Sequence, residues 1–170
     1  MFLLCSFLLY FFNFLLEDFV FLDLSLLSSG FTGDAVSATG GNIYILDKAG
    51  KRVVSVATDS KKSKVTAGPS VIDDAFDIAS YEDTVYVLGS DGIYGVGTGK
   101  TKVIEKTWAG DALISAFAGN LYVLNKSGNM IYRYSGLTGG TFGAQQNWLS
   151  ATSTANFSGA RPATRDPFVA

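Results

Sequence analysis

Acidic side chains are the residues whose spacing could support chemistry in this chain. Asp73, Asp74 and Asp77 form its densest acidic cluster, and Asp34 and Asp111 precede other strand-like segments at similar places. Together, Asp34, Asp74, Asp77 and Asp111 could ring one face of the fold and hold a ligand or cation through oxygen atoms. They are therefore candidate ligand-binding residues. Their spacing matches no calcium loop, and an Asp that accepts hydrogen bonds from its own turn is the simpler interpretation.

Other chemistries are excluded by composition. The chain has no histidine, and Cys5 is its single cysteine. Ser-His-Asp and Cys-His nucleophiles, ordinary zinc sites and an intrachain disulfide are therefore impossible. Residues 95–101 resemble a phosphate-binding loop, but Tyr94 stands where its first glycine belongs. We predict no catalytic residues, no metal site and no cofactor.

Charge is distributed unevenly along the chain. All 13 Lys and Arg residues lie at or after Lys48, whereas the only charges before Asp34 are Glu17, Asp18 and Asp23. The body of the chain is therefore nearly neutral. A nucleic-acid partner would require a basic stripe to neutralise phosphates, so we predict none.

Residues 1–28 form a hydrophobic segment. It carries no charge before Glu17, and 17 of its first 27 residues are Phe or Leu. A spanning helix needs about 20 apolar residues, and a secretory signal normally begins with a basic region that is absent here. Three interpretations stay open: a membrane anchor or uncleaved signal, a segment foreign to the domain, and a buried core helix. We predict a hydrophobic helix, with a membrane-associated or extracytoplasmic location.

The chain changes character after Gly30 and becomes repetitive. Residues 41–50, 83–92 and 119–128 align, and each carries a tyrosine six residues before a glycine. These tyrosines, Tyr44, Tyr86 and Tyr122, are 42 and 36 residues apart. Each unit contains a strand ending in Ala, a strand centred on the tyrosine, a glycine turn that calls for positive φ, and a third and a more variable fourth strand. This pattern predicts one four-stranded propeller blade per unit.

The repeats resemble the NHL-type repeat of six-bladed β-propellers. Residues 41–56 begin with Gly-Asn-Ile-Tyr-Ile-Leu, followed by an Asp and a basic residue before the outer hairpin strand, and residues 119–134 match nearly as well. The middle repeat departs from the pattern because Glu82-Asp83 replaces Gly-Asn. The resemblance implies a propeller fold, and it implies little about function because such propellers serve many roles.

The predicted fold is an all-β partial β-propeller of about three blades plus a partial fourth entered at Thr141. Its predicted divisions are the hydrophobic segment 1–28, propeller-like repeats over residues 31–160 and an irregular tail over residues 161–170. Since propellers close with about four to eight blades, open blade faces could drive self-association. We expect either a truncated gene product or several chains that complete one ring.

These observations favour a non-enzymatic binding or scaffold module, anchored to or exported across a membrane, that offers propeller loops to a protein or carbohydrate partner. One alternative is an accessory sensor domain of a larger signalling protein. Another is a cation-dependent propeller enzyme that uses the carboxylates named above.

Overall fold

The computed structural model describes residues 32–68, 73–96, 100–150 and 153–160. In these ranges the chain forms twelve strands in three four-stranded antiparallel sheets. The first sheet contains β1 (Ala35–Thr39), β2 (Asn42–Asp47), β3 (Arg52–Ala57) and β4 (Ser63–Ala67). The second contains β5 (Ala75–Tyr81), β6 (Thr84–Gly89), β7 (Gly92–Val96) and β8 (Lys100–Glu105). The third contains β9 (Leu113–Phe117), β10 (Asn120–Asn125), β11 (Met130–Tyr134) and β12 (Gln146–Asn147).

Each sheet is a meander in which sequential strands pair, and the repeated tyrosines lie on its second strand. The predicted all-β partial propeller is therefore confirmed. The predicted N-terminal helix falls outside the described residues. Among those described, no helix is long and apolar enough to cross a membrane.

The sheets stand side by side and bury apolar side chains between them. The first strands β1, β5 and β9 are neighbours. Tyr44 and Leu46 face the second sheet, in one cluster with Val85 and Val87. The next pair of sheets repeats this arrangement, since Tyr86 and Leu88 pack in one cluster with Leu121 and Val123 of the third sheet. The second sheet has a neighbouring sheet on each of its two faces, and its central strands are accordingly apolar on both faces.

The turn glycines have a different role from the one predicted. Gly50 was expected to supply a positive φ, but that conformation belongs to the next residue, Lys51, at 50°. A Cβ at Gly50 would instead lie under 3.0 Å from the carboxylate of Asp47. Asn125 similarly crowds the space beside Gly128, and the positive φ again falls on the following residue, Asn129. Glycine is required at both turns because a side chain folds back over it.

The stretch that begins at Thr141 was expected to enter a fourth blade. It contains Phe142, whose ring lies 5.6 Å from that of Tyr86, and β12, which pairs with β11. These residues therefore complete the third sheet and pack back onto the second. The described residues 153–160, which follow, contain no strand.

Candidate binding cleft between the second and third sheets

Asp34, Asp74 and Asp111 lie in the exposed turns that lead into the first strands of the three sheets. The side chain of Asp34 accepts hydrogen bonds from Lys48 N at 2.8 Å and Thr32 Oγ1 at 2.7 Å. Asp74 accepts a bond from the hydroxyl of Ser90 at 3.3 Å. Asp34 and Asp74 thus accept hydrogen bonds from Lys48 and Ser90, which lie in the turn after the second strand of each sheet, and only the bond from Thr32 is local.

These three carboxylates are not in equivalent registers. The residues that pair with the leucine after each repeated tyrosine are Ala35, Asp77 and Leu113. Asp34 lies one residue before Ala35 in the chain. Asp74 lies three residues before Asp77, and Asp111 lies two residues before Leu113. No group of three acidic, Cys or His side chains suited to a metal occurs within the described residues. A ligand role for these residues stays a prediction.

Asp77 differs from the other three because it is buried, with 3% of its surface exposed. Its Oδ2 accepts a hydrogen bond from Ile114 N at 2.9 Å, which ties β5 to β9. Burial raises the pKa of Asp77, against the opposing effect of backbone hydrogen bonds from Ile114 and Ile78. Its visible role is to connect two blades.

A second buried acid, Asp47, was not selected from the sequence. It is 0% exposed and accepts bonds from Gly50 N at 2.9 Å and Arg52 Nε at 2.8 Å. Burial alone would raise the pKa of Asp47, but the hydrogen bonds from Gly50, Arg52 and Thr32 outweigh it and lower the pKa. The Asp that precedes the glycine turn is therefore a local structural lock.

An open cleft of about 320 Å³ lies where the last strand of the second sheet meets the loop before β12. Its walls come from the end of β8 and the residue after it, from Tyr134 at the end of β11 and from residues 142–145. Val103, Ile104 and Phe142 make part of the lining apolar, and Lys106 and Gln145 supply polar groups. The volume is at the lower end of the range for ligand sites in proteins.

Lys106 is the cation of this cleft. Its ammonium lies 4.1 Å from the ring centroid of Tyr132 and 4.6 Å from that of Trp108. It also donates a hydrogen bond to Gln145 Oε1. Burial lowers the pKa of Lys106. The ammonium is therefore stabilised mainly by ring faces and one neutral amide, which attract a cation more weakly than a carboxylate at contact distance.

The groups around Lys106 are aromatic and largely buried. Tyr134 is buried and donates a hydrogen bond to Gln145 Oε1 at 3.0 Å. Burial, with a smaller effect of Tyr132, raises the pKa of Tyr134 to about 12, so the phenol stays protonated as a donor. Trp108 is 4% exposed, and its Nε1 has no hydrogen-bond partner within the described chain.

Sequence reasoning did not identify this cleft. Backbone hydrogen bonds from Lys106 N to Asp91 O and from Trp108 N to Ser90 O continue the β8 pairing. Lys106 and Trp108 are two residues apart in this extension and therefore lie on the same side of it, as Tyr132 and Tyr134 do on β11. The alternation of aromatic residues can be seen in the sequence. The sequence does not show that the extension of β8 and strand β11 lie close together.

The outward face of the third sheet is a second candidate surface. Tyr122 occupies the position at which Tyr44 and Tyr86 are buried by a following sheet, but here it is only half-buried. Its ring lies 5.4 Å from that of Trp148, which is 51% exposed. The guanidinium of Arg133 lies 5.1 Å from the Trp148 ring centroid.

Three adjacent four-stranded meanders, with their first strands side by side, define the chain as a partial β-propeller. No protein-family profile and no curated protein matches it. Among solved structures, it is similar to a chain in the crystal structure of a nidogen/laminin complex, with 12% identity and a TM-score of 0.56. The match covers 72% of this chain and 50% of the other, so this chain spans about half the length of that structure.

Two plant proteins are also among the matches, at 12% identity each. One is a 2S albumin seed protein from Dolichos, with a TM-score of 0.39 over 68% of both chains. The other is the hemopexin fold protein CP4 from cow pea, with a TM-score of 0.36 over 71% of this chain and 74% of that one. Only the nidogen/laminin likeness is strong enough to support the fold, and none of these likenesses assigns a function.

Proposed function

We propose that this chain is a non-catalytic, NHL-like propeller module that binds a protein partner through the cleft between its second and third sheets. The observation that carries this proposal is the combination of an apolar wall with a half-buried cation, Lys106, in one open cleft. Ligand sites in proteins typically combine apolar walls with a few convergent polar groups. Propeller folds host many unrelated functions, so the cleft and not the fold indicates what this chain binds.

The experiment uses the chain with Trp148→Phe, so that Trp108 beside the cleft is the remaining tryptophan. Peptide pools of acidic, neutral and basic composition are titrated while Trp108 fluorescence is recorded. We expect saturable binding of at least one pool, and its loss in Ala144→Phe, which fills the cleft from an exposed lining position. The matched control is Ala49→Phe, an exposed turn position in the first sheet. Absence of binding by every pool, or equal binding by Ala144→Phe, contradicts the proposal.

A carbohydrate partner is the second candidate, favoured by the exposed ring of Trp148 beside Tyr122 and Arg133. Exposed aromatic rings with a polar tip suit amphipathic ligands. A glycan array probed with the unmodified chain and with Trp148→Ala separates this candidate from the first. Glycan binding that depends on Trp148 supports it, and binding that persists in Trp148→Ala contradicts it.

The membrane-associated or extracytoplasmic location forms part of the proposal and depends on residues 1–28. A long run of Phe and Leu favours transfer into hydrocarbon. Flotation of the full chain with lipid vesicles tests this, against a variant carrying Leu8→Asp and Phe12→Asp. Equal flotation of both chains contradicts an anchor in this segment.

A further inference from the structure

Lys106 differs from the other cations that the structure places near acidic groups. In the described residues, Lys51, Arg52 and Lys102 form ion pairs with Asp73, Asp47 and Asp91 at 2.6–2.8 Å. No such pair is formed by Lys106. The one acidic side chain that also lines the cleft, Glu105, is exposed and precedes Lys106 on the strand, where side chains alternate between the two faces. Within the described residues, the half-buried ammonium of Lys106 therefore has no carboxylate in ion-pair contact.

A half-buried ammonium ion loses hydration, and that loss is best offset by an anion or by oriented acceptors. Two aromatic faces and Gln145 Oε1 supply part of this compensation. Gln145 belongs to an exposed loop, so its amide can be displaced from Lys106 without opening the core. A ligand carboxylate at that place would keep a hydrogen bond from Lys106 and gain one from the Tyr134 hydroxyl, which now donates to Gln145.

The rest of the cleft defines the other half of the ligand. Val103, Ile104 and Phe142 line it beside the cation, and its volume of about 320 Å³ admits a group the size of an aromatic side chain. One ammonium and one phenol match a single carboxylate, whereas a phosphate dianion would require more donors than this cleft provides.

We propose that the cleft binds a carboxylate joined to an apolar group, with the carboxylate on Lys106 and Tyr134 and the apolar group against Phe142 and Ile104. The carboxylate comes from an acidic side chain or chain terminus of a protein partner, or from a free small acid. Because this inference rests on the proposed function, its experiment compares acids with their neutral amides, and pool binding itself is measured separately.

The probes are phenylacetate and phenylacetamide for a free acid, and tripeptides ending in Phe as free acid or amide for a chain terminus. Acetylated peptide amides containing Phe-Asp or Phe-Asn represent an acidic side chain. Binding is followed by Trp108 fluorescence in the Trp148→Phe background and by calorimetry. We expect at least one acid to bind about tenfold or more tightly than its amide, because a charge-assisted hydrogen bond replaces a neutral one.

The variants isolate the charge. Lys106→Met is expected to remove the preference for acid over amide, and Lys106→Arg to retain most of it. Lys64→Met, at an exposed position on β4, is the matched control and should bind as the unmodified chain does. The denaturation midpoint of Lys106→Met is recorded to verify that it is folded, and if it is not, Lys106→Gln replaces it. Equal binding of acid and amide overturns the inference and leaves the proposed function intact if pools still bind. Binding of no pool and no probe overturns both.

Discussion

The link between the second and third sheets should depend on Asp77. Its carboxylate is 3% exposed and accepts the backbone hydrogen bond of Ile114, on a different sheet, at 2.9 Å. Asp77→Ala removes this acceptor and leaves a buried N–H group unpaired. An unsatisfied buried donor costs about 1–3 kcal/mol, and a hydrogen bond to a charged group contributes about 1.5–3 kcal/mol. We therefore expect Asp77→Ala to lower the free energy of unfolding by about 2–3 kcal/mol.

Asp77→Asn is the informative companion, since its amide oxygen can still accept the bond from Ile114. Its loss should be below about 1 kcal/mol, because it also removes the cost of burying a charge. The sign of the pH dependence follows from the raised pKa of Asp77 in the folded state. The unfolded chain ionises this group at lower pH, so the stability contribution falls as the pH rises from the unfolded pKa through the raised folded pKa.

The assay is urea denaturation at pH 7 and at pH 4.5, for the unmodified chain, both Asp77 variants and the exposed control Asp111→Ala. The control should lie within about 0.5 kcal/mol of the unmodified chain. Between pH 7 and pH 4.5, the unmodified chain should gain stability relative to Asp77→Asn. The reasoning is refuted if Asp77→Ala unfolds like the control. It is also refuted if the unmodified chain and Asp77→Asn respond identically to pH.

Three further predictions concern other parts of the fold. Asp47→Ala should lower the free energy of unfolding by about 3 kcal/mol or more in denaturation, because it removes a buried, charge-assisted set of hydrogen bonds. The pKa of Asp47 is lowered in the folded state, so its contribution is present at neutral pH and is lost as the pH falls through that pKa. Equal acid sensitivity of the unmodified chain and Asp47→Ala would contradict this prediction. Gly50→Ala should cost about 1–3 kcal/mol through overlap with Asp47, whereas Gly68→Ala, which meets open space, should not, and calorimetric melting distinguishes them. We expect chains to associate through the outward face of the third sheet, so Trp148→Glu should lower the mass measured by light scattering, whereas Leu137→Glu, at a loop position that is 58% exposed, should leave it unchanged; equal masses for both variants would contradict this expectation.

Strand positions followed closely from the sequence. Each predicted unit of four strands, with its tyrosine on the second, is one of the observed four-stranded sheets. This agreement has a local cause. Alternation of side chains along a strand and the glycine after each tyrosine-centred strand are properties of neighbouring residues. The repeat also determined that each unit would form one sheet.

The candidate acids were harder to assign. Spacing placed Asp34, Asp74 and Asp111 before the three tyrosine-centred strands and grouped Asp77 with Asp74, so all four were candidate ligand-binding residues. In the fold, Asp77 is buried between two sheets and Asp34 lies in an exposed turn. Asp77 pairs with Leu88 as Ala35, not Asp34, pairs with Leu46, and β5 has a register shift between Ala75 and Asp77. A register shift depends on the pairing of two strands, so it cannot be seen in the pattern of one strand.

The sequence by itself determined the all-β class, the repeated meander and the absence of histidine chemistry, because these depend on composition and on residues close in the chain. Only the tertiary structure decided which sheet faces meet and what their meeting creates. Lys106 and Trp108 follow the second sheet, whereas Tyr132 lies on the third sheet and Gln145 in the loop before β12, and no local rule relates them. The cleft exists because two sheets pack side by side, and the energy of that packing comes from apolar burial, which is non-directional and leaves the choice of neighbouring polar groups to the assembled fold.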